Sequence, residues 1–427
     1  MSNKSISDRV DKFKQIVTFG NISAEACLDQ IRKNVTSNIF VQKRIGSSSV
    51  NGEAYLGKAY PCYDPTQCYP LDLSVKLIPI KDNELSYVND HRENPNAWKT
   101  GLWAELLFMQ ICSYVIKQQK VPNLPMAYSY MLCRNCQYEN PALSQMLPRG
   151  TPCLLLLNEF ATQGDLAAWL KRDRSLMQWS VAYFQIFTGL YFLQKFFNIT
   201  HHDMHWGNVL VHDAISSGYT AYKIDGNIYY VPNVGFDFVL WDFGYARIPG
   251  KVEIATLQDY YWNEQYGQQP RLLVDYFRIA QAPIWMSDKS VQEETPAYRN
   301  VHIPEEITTQ FIPAIGKLFA EGYTLKTVIP QLWGFMTEKP EGYLITDKYD
   351  LDSPFKNFPQ EHAFLLHDFI REPIPERVSQ SSELAEQNAE LYSRYGHSLI
   401  KSEDGELIIE DPPRDYADYD PMDVEVA

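Results

Sequence analysis

A chain of 427 residues can hold one large two-lobed domain or two ordinary ones, with a core well above the marginal size. It is 45% hydrophobic and 14% aromatic, as a folded protein should be. Its net charge of −15 argues against broad binding to nucleic acid or anionic membranes, which needs basic faces, and is compatible with basic protein partners. No run of about 18 apolar residues suggests a transmembrane helix. The opening MSNKSISDRVDKFK lacks the apolar core of a signal peptide, and Ser2 stands where a myristoylation signal requires Gly, so the expected location is intracellular and cytoplasmic. Seven cysteines in such a chain point to reduced thiols rather than a disulfide framework. Cys133 and Cys136 have CxxC spacing and Cys62 and Cys68 are looser; a structural zinc on all four stands beside the simpler reading of thiols in turns.

Residues 1–38 read as one or two short amphipathic helices broken near Gly20-Asn21, an N-terminal extension with no chemistry of its own. From Phe40 the pattern turns to strands. The stretch Ile45–Tyr55 lies between two strand-like runs, with Gly46, Ser48 and Gly52 as small residues that would let backbone N–H groups approach phosphates. The next strand, 71–78, carries Lys76 among apolar neighbours. A lysine facing inward needs a counter-charge, and Glu105 is the only carboxylate between residues 94 and 138, on a helix signalled by Asn94-Pro95. Residues 126–133 and 153–158 read as two further strands, joined by a Pro-rich surface loop over 137–152. The apolar run ending at Glu159 enters a Gly-containing segment.

Residues 177–197 form the clearest helix, with Trp179, Tyr183, Ile186, Leu190, Leu193 and Phe197 at spacings of four and three. It delivers the chain to His201-His202-Asp203-Met204-His205-Trp206-Gly207-Asn208. Asp203 and Asn208 are five apart, the spacing of a loop in which the Asp takes a hydroxyl proton and the Asn holds magnesium; Asp242 heads Asp-Phe-Gly and would hold magnesium against the phosphates. Between these stretches, residues 212–237 read as an inserted β-hairpin turning at Asp225-Gly226. A helix opens near Leu272, where Asp275 could accept hydrogen bonds from the catalytic-loop backbone. Prolines break residues 300–372 into short helical pieces, and residues 402–427, with ten acidic side chains against one Arg, read as a disordered tail.

In this order the motifs over residues 40–280 resemble the protein-kinase superfamily. They are most similar to divergent serine/threonine kinases of large nucleocytoplasmic DNA viruses, including poxvirus virion-assembly kinases. The grounds are the Gly-Ser-Ser-Ser loop, the Asp-Met-His-Trp-Gly-Asn loop and the hairpin before Asp-Phe-Gly. The resemblance implies an α+β, two-lobed kinase-like fold. It would comprise a five-stranded antiparallel small lobe with one main helix (39–159), a mostly helical large lobe (160–378) and an acidic tail (379–427). It also implies ATP with magnesium or manganese as cofactors, adenine held by the backbone around Glu159–Ala161, functional roles for Lys76, Glu105, Asp203, Asn208 and Asp242, and protein substrates such as virion structural proteins. Two positions depart from the pattern. His202 replaces the Arg that in many kinases pairs with a phosphorylated activation loop, and His205 stands where protein kinases carry Lys. The DxHxxN form also resembles small-molecule kinases of the aminoglycoside-phosphotransferase type, and a non-catalytic scaffold is the third reading.

Overall fold

The structure, a computed structural model, describes residues 6–19, 39–46, 52–60, 69–91, 94–117, 121–133, 136, 138–139, 141–148, 150–224, 227–253, 274–287, 299–311 and 345–350. Ser48, Cys62, Cys68, the Asp225-Gly226 turn and the acidic tail lie outside the described residues.

Apolar runs at the strand period build the first sheet. Its strands are β1 (Ile39–Ile45), β2 (Glu53–Ala59), β3 (Leu71–Pro79), β4 (Ala127–Cys133) and β5 (Cys153–Glu159), all antiparallel, in the order β1-β2-β3-β5-β4. β2 alternates buried and half-buried positions, whereas every residue of the central β5 is buried, as an unbroken Leu run requires. Gly52 permits the close approach of β2 to β3, because a Cβ there would run into the Leu77 carbonyl oxygen.

Two helices of more than ten residues accompany this sheet among the described residues. The first, α1 (Ile6–Phe19), buries Val10 and Ile16 and sets Phe13 against Tyr128 of β4. The second, α2 (Gly101–Lys117), is buried along nearly its whole length. It begins later than the Asn94-Pro95 signal, after a 3₁₀ turn at Ala97–Lys99. Glu84 fixes its start: its carboxylate accepts the N–H of Leu102 at 3.1 Å and of Lys81 at 2.9 Å, while the Trp103 indole donates to the Glu84 carbonyl. An acidic group there also suits the positive end of the helix dipole.

The long apolar helix is α3 (Leu176–Phe197). Ser175 and Gln178 close a capping box at its N-terminus, and left-handed Asn198 (φ 55°) ends it. It is buried almost all round, as its aromatic stripe and the apolar residues between require. Beyond it come β6 (Val209–Asp213), β7 (Tyr219–Ile224), β8 (Asn227–Pro232) and β9 (Phe236–Leu240). β6 pairs with β9, and β7 with β8 forms the inserted hairpin. Asn123 ties hairpin and helix together: its amide donates to Gln185 Oε1 at 2.9 Å and to the Phe238 carbonyl at 3.0 Å, and Tyr222 donates to its oxygen. Helix α4 (Val274–Ser287) follows.

Three expectations need correction. Within residues 300–372, expected to be helical pieces, β10 (Ile345–Asp350) is a strand that pairs in parallel with β7; the prolines that shorten helices there do not interrupt this short run. The Pro-rich connection is not only loop, since Pro141–Met146 is helical, with proline at the first helical position where its missing N–H costs nothing. Cys136 and Cys153, expected as thiols, are joined as a disulfide because strand pairing brings the start of β5 beside the turn after β4.

Candidate active site

β3 carries Lys76 between the fully buried Val75 and Leu77, so its side chain leaves the sheet into a space with little water. Its ammonium lies 2.6 Å from Glu105 of α2 and 3.3 Å from Asp242, just after β9. Burial alone would lower the pKa of Lys76. The carboxylates of Asp242 and Glu105 outweigh it and hold the lysine above its ordinary value. Asp242 is likewise held below the usual carboxylate range, since the Lys76 charge overcomes its own burial. Asp242 adopts a left-handed backbone (φ 59°). That conformation costs a non-glycine residue about 1 kcal/mol and is concentrated at functional sites.

The loop after α3 is assembled around Asp203. The Asn208 amide donates to the Asp203 carbonyl at 2.7 Å and to its carboxylate at 2.9 Å. With both hydrogens committed, the amide oxygen of Asn208 is on the opposite edge. His205 stands half-exposed with Nε2 3.7 Å from Asp203 Oδ2, and its Nδ1 accepts the Gly207 N–H, so the proton of the neutral ring is on Nε2, toward Asp203.

Two buried groups hold this loop from behind. Asp275 of α4 accepts the backbone N–H of His201 at 2.7 Å and of His202 at 2.8 Å, the role its position suggested. Burial raises its pKa. The His201 ring donates from Nε2 to the Trp241 carbonyl at 2.7 Å and accepts the Asp203 N–H on Nδ1 at 3.3 Å, which links the Asp203 loop to the residue preceding Asp242. His202 is buried and kept neutral, first by desolvation and then by Arg247 and Arg278 nearby. It sits at φ 64°, with Nε2 2.7 Å from the Thr200 hydroxyl.

The structure thus brings Lys76, Glu105 and Asp242 into one cluster and Asp203, His205 and Asn208 into another, with His201 bridging the loops behind them. Gly46 lies at the end of β1 in a left-handed turn (φ 79°). Gly52 is accounted for by its approach to Leu77. At the end of β5, the Glu159 N–H is already used by the Met126 carbonyl, and the Ala161 carbonyl accepts from Gly164. The Glu159 side chain is engaged by Arg9 of α1 at 2.8 Å, and the same guanidinium donates to the carbonyls of Pro122 and Leu124. Sequence reasoning missed Arg9 and His201. A lone arginine on an amphipathic helix carries no signal of burial, whereas His201 beside Asp203 could have been found by asking what orients that loop.

Asp242, Asp203 and the Asn208 amide offer only hard oxygen donors, a set that suits magnesium or manganese rather than a thiophilic ion. A lysine clamped between a helix carboxylate and a second carboxylate, beside a five-stranded antiparallel sheet, is consistent with a protein-kinase-like small lobe. Known proteins agree with that class. Over 224 residues, 51% of the chain, the sequence is 25% identical to a protein of Invertebrate iridescent virus 6 named "Probable serine/threonine-protein kinase". It is 30% identical over 109 residues, 23% of the chain, to one of Acanthamoeba polyphaga mimivirus, and 28% identical over 182 residues, 40% of the chain, to one of Frog virus 3. Both carry names that assign the same activity provisionally. The matched stretches span 37%, 23% and 20% of those relatives' own lengths. No family model matches the chain. The chain is therefore similar to the serine/threonine-kinase-like proteins of large DNA viruses. Among the described residues no helix is long and apolar enough to cross a membrane.

Proposed function

We propose that the chain is a serine/threonine protein kinase of viral type, transferring the γ-phosphoryl group of ATP to protein hydroxyls. The observation that carries this reading is Lys76 held at 2.6 Å from Glu105 and 3.3 Å from Asp242. Lys76 binds the α- and β-phosphates, and Glu105 fixes its direction, so its charge is positioned before the nucleotide arrives. Asp203 orients the acceptor hydroxyl and takes its proton; Asn208, bonded to both its carbonyl and carboxylate, holds it in place. Asp242 and the Asn208 amide oxygen are the residues that would hold magnesium, which when bound neutralises charge developing on the β- and γ-phosphate oxygens. His205 presents its Nε2–H beside Asp203 and donates a hydrogen bond to the transferring group. Gly46, Ser48 and Gly52 would border the phosphates, and the backbone at Glu159–Ala161 the adenine. The net charge of −15 favours basic acceptors, virion structural proteins among them, in the host cytoplasm or the virion.

The test is transfer of radiolabelled γ-phosphate from Mg-ATP by wild type and Asp242→Asn, first to a basic protein and then to a panel of small-molecule acceptors. Label on protein that disappears in the variant supports the reading. Label only on a small molecule replaces it with the small-molecule kinase, and ATP binding without transfer replaces it with the scaffold.

A further inference from the structure

Three sulfurs converge at the end of β5 opposite Glu159. Cys153 opens β5, Cys133 closes β4, and the two are register partners. Cys136 follows Cys133 at CxxC spacing, and its N–H donates to the Thr151 carbonyl at 3.2 Å, which sets Cys136 beside the start of β5. All three Sγ atoms lie within 4.8 Å of one another, and the residues are only 1%, 4% and 0% exposed for Cys133, Cys136 and Cys153. A disulfide joins Cys136 and Cys153, and the β4–β5 register sets Cys133 beside them. An ion about 2.3 Å from each of three thiolates sets them roughly 3.8 Å apart, a spacing that reduction of the disulfide would open to sulfurs already held within 4.8 Å of one another.

We propose that in the reduced chain Cys133, Cys136 and Cys153 together bind one thiophilic cation, zinc or copper(I). Thiolates are soft ligands that select such ions over the hard cations suited to the Asp242 cluster. Each thiol gives up its proton as its sulfur binds, so three protons are released per ion taken up. The ion would fasten β4, the edge strand of the sheet, and the turn after it to the first residue of β5. Cys153 had not been grouped with the other cysteines by spacing, because only the β4–β5 register brings it beside the CxxC turn. The proposal does not depend on the kinase reading.

The experiment uses the full chain, purified without oxygen in a non-chelating reductant, with bound metals measured by mass spectrometry and thiols trapped at lysis in a separate portion. About one equivalent of zinc or copper is expected. It should be lost in Cys133→Ser and in Cys153→Ser and retained in Cys112→Ser, whose thiol lies outside the cluster. Should either of the first two variants fail to fold, wild type supplies a second readout. Cobalt(II) added to the metal-free reduced chain should give an intense thiolate charge-transfer band, abolished by a mercurial reagent. A metal-free wild type without that band, metal retained in Cys133→Ser, or a Cys136–Cys153 disulfide in the trapped, reductant-isolated chain would each overturn the proposal.

Discussion

The guanidinium of Arg9 lies 2.8 Å from the carboxylate of Glu159, joining residues 150 positions apart with both side chains buried. Removing one partner strands the other charge without water, so Arg9→Met should cost roughly 3–5 kcal/mol in urea unfolding. Arg9→Met combined with Glu159→Gln should recover part of that loss. An Arg9→Met protein as stable as wild type would mean that the pair contributes nothing in solution.

The same pair sets an acid limit. Although burial pushes it upward, Arg9 holds the Glu159 carboxyl down from 4.5 to about 2. A depressed carboxylate contributes stability that is present above its unfolded value and lost as pH falls through its folded one. This contribution should fade between about pH 4.5 and 2 in wild type. In the Arg9→Met, Glu159→Gln double variant that component should be missing, and identical acid profiles for the two proteins would remove Glu159 as its source.

Asp203→Asn and Asp242→Asn should each lower phosphoryl transfer by several orders of magnitude, measured at saturating ATP. The two should differ in binding. Asp242→Asn loses a carboxylate beside Lys76 and should weaken magnesium dependence, whereas Asp203→Asn leaves the Lys76 cluster intact. Near-normal turnover of Asp203→Asn would remove it as the base.

His202 offers no charged fork to a phosphorylated loop, because burial and neighbouring arginines keep it neutral and its Nε2 already faces Thr200. Arg278 donates to the His202 carbonyl at 2.5 Å. Phosphatase-treated protein should therefore retain the activity of untreated protein. A tenfold or greater fall would show that a phosphate elsewhere switches the enzyme.

Gly46 and Gly52 should respond unequally to alanine. At Gly46 a Cβ meets nothing within 4 Å, so the cost is the left-handed backbone alone, about 1 kcal/mol. At Gly52 the Cβ meets the Leu77 carbonyl, and β2 must move away from β3. Thermal melts should rank Gly52→Ala below Gly46→Ala, and the reverse order would contradict the close approach of the two strands.

What could be read from sequence follows from how local each constraint is. Glu105 could be chosen because one helix offered a single carboxylate to a lysine on an apolar strand. Asp203, Asn208 and Asp242 stood out through short motif spacings, and Asp275, whose hydrogen bonds to the loop backbone the structure contains, through its place where a helix opens. The sheet was legible because strand alternation and the β5 Leu run are periodic. Pairings between distant segments have no such period. Arg9 with Glu159, Cys153 with the CxxC turn, and β10 with β7 depend on where the folded chain returns, and nothing near those residues announces it. His201 was passed over because its role is to connect two backbones, which emerges only on asking what orients the Asp203 loop.

The parallel pairing of Ile345 with Tyr219 has a consequence for how the chain is made on the ribosome. At roughly 5–20 residues per second, the interval between these two residues takes on the order of ten seconds to translate. Throughout it, the edge of β7 lacks the partner that β10 will supply, and an open strand edge is a template for pairing with another chain. The protein therefore passes through a stage of synthesis in which the loop around Asp203 is already made while its hairpin sheet is still sticky. A transcript cut short before residue 345 would release chains fixed at that stage.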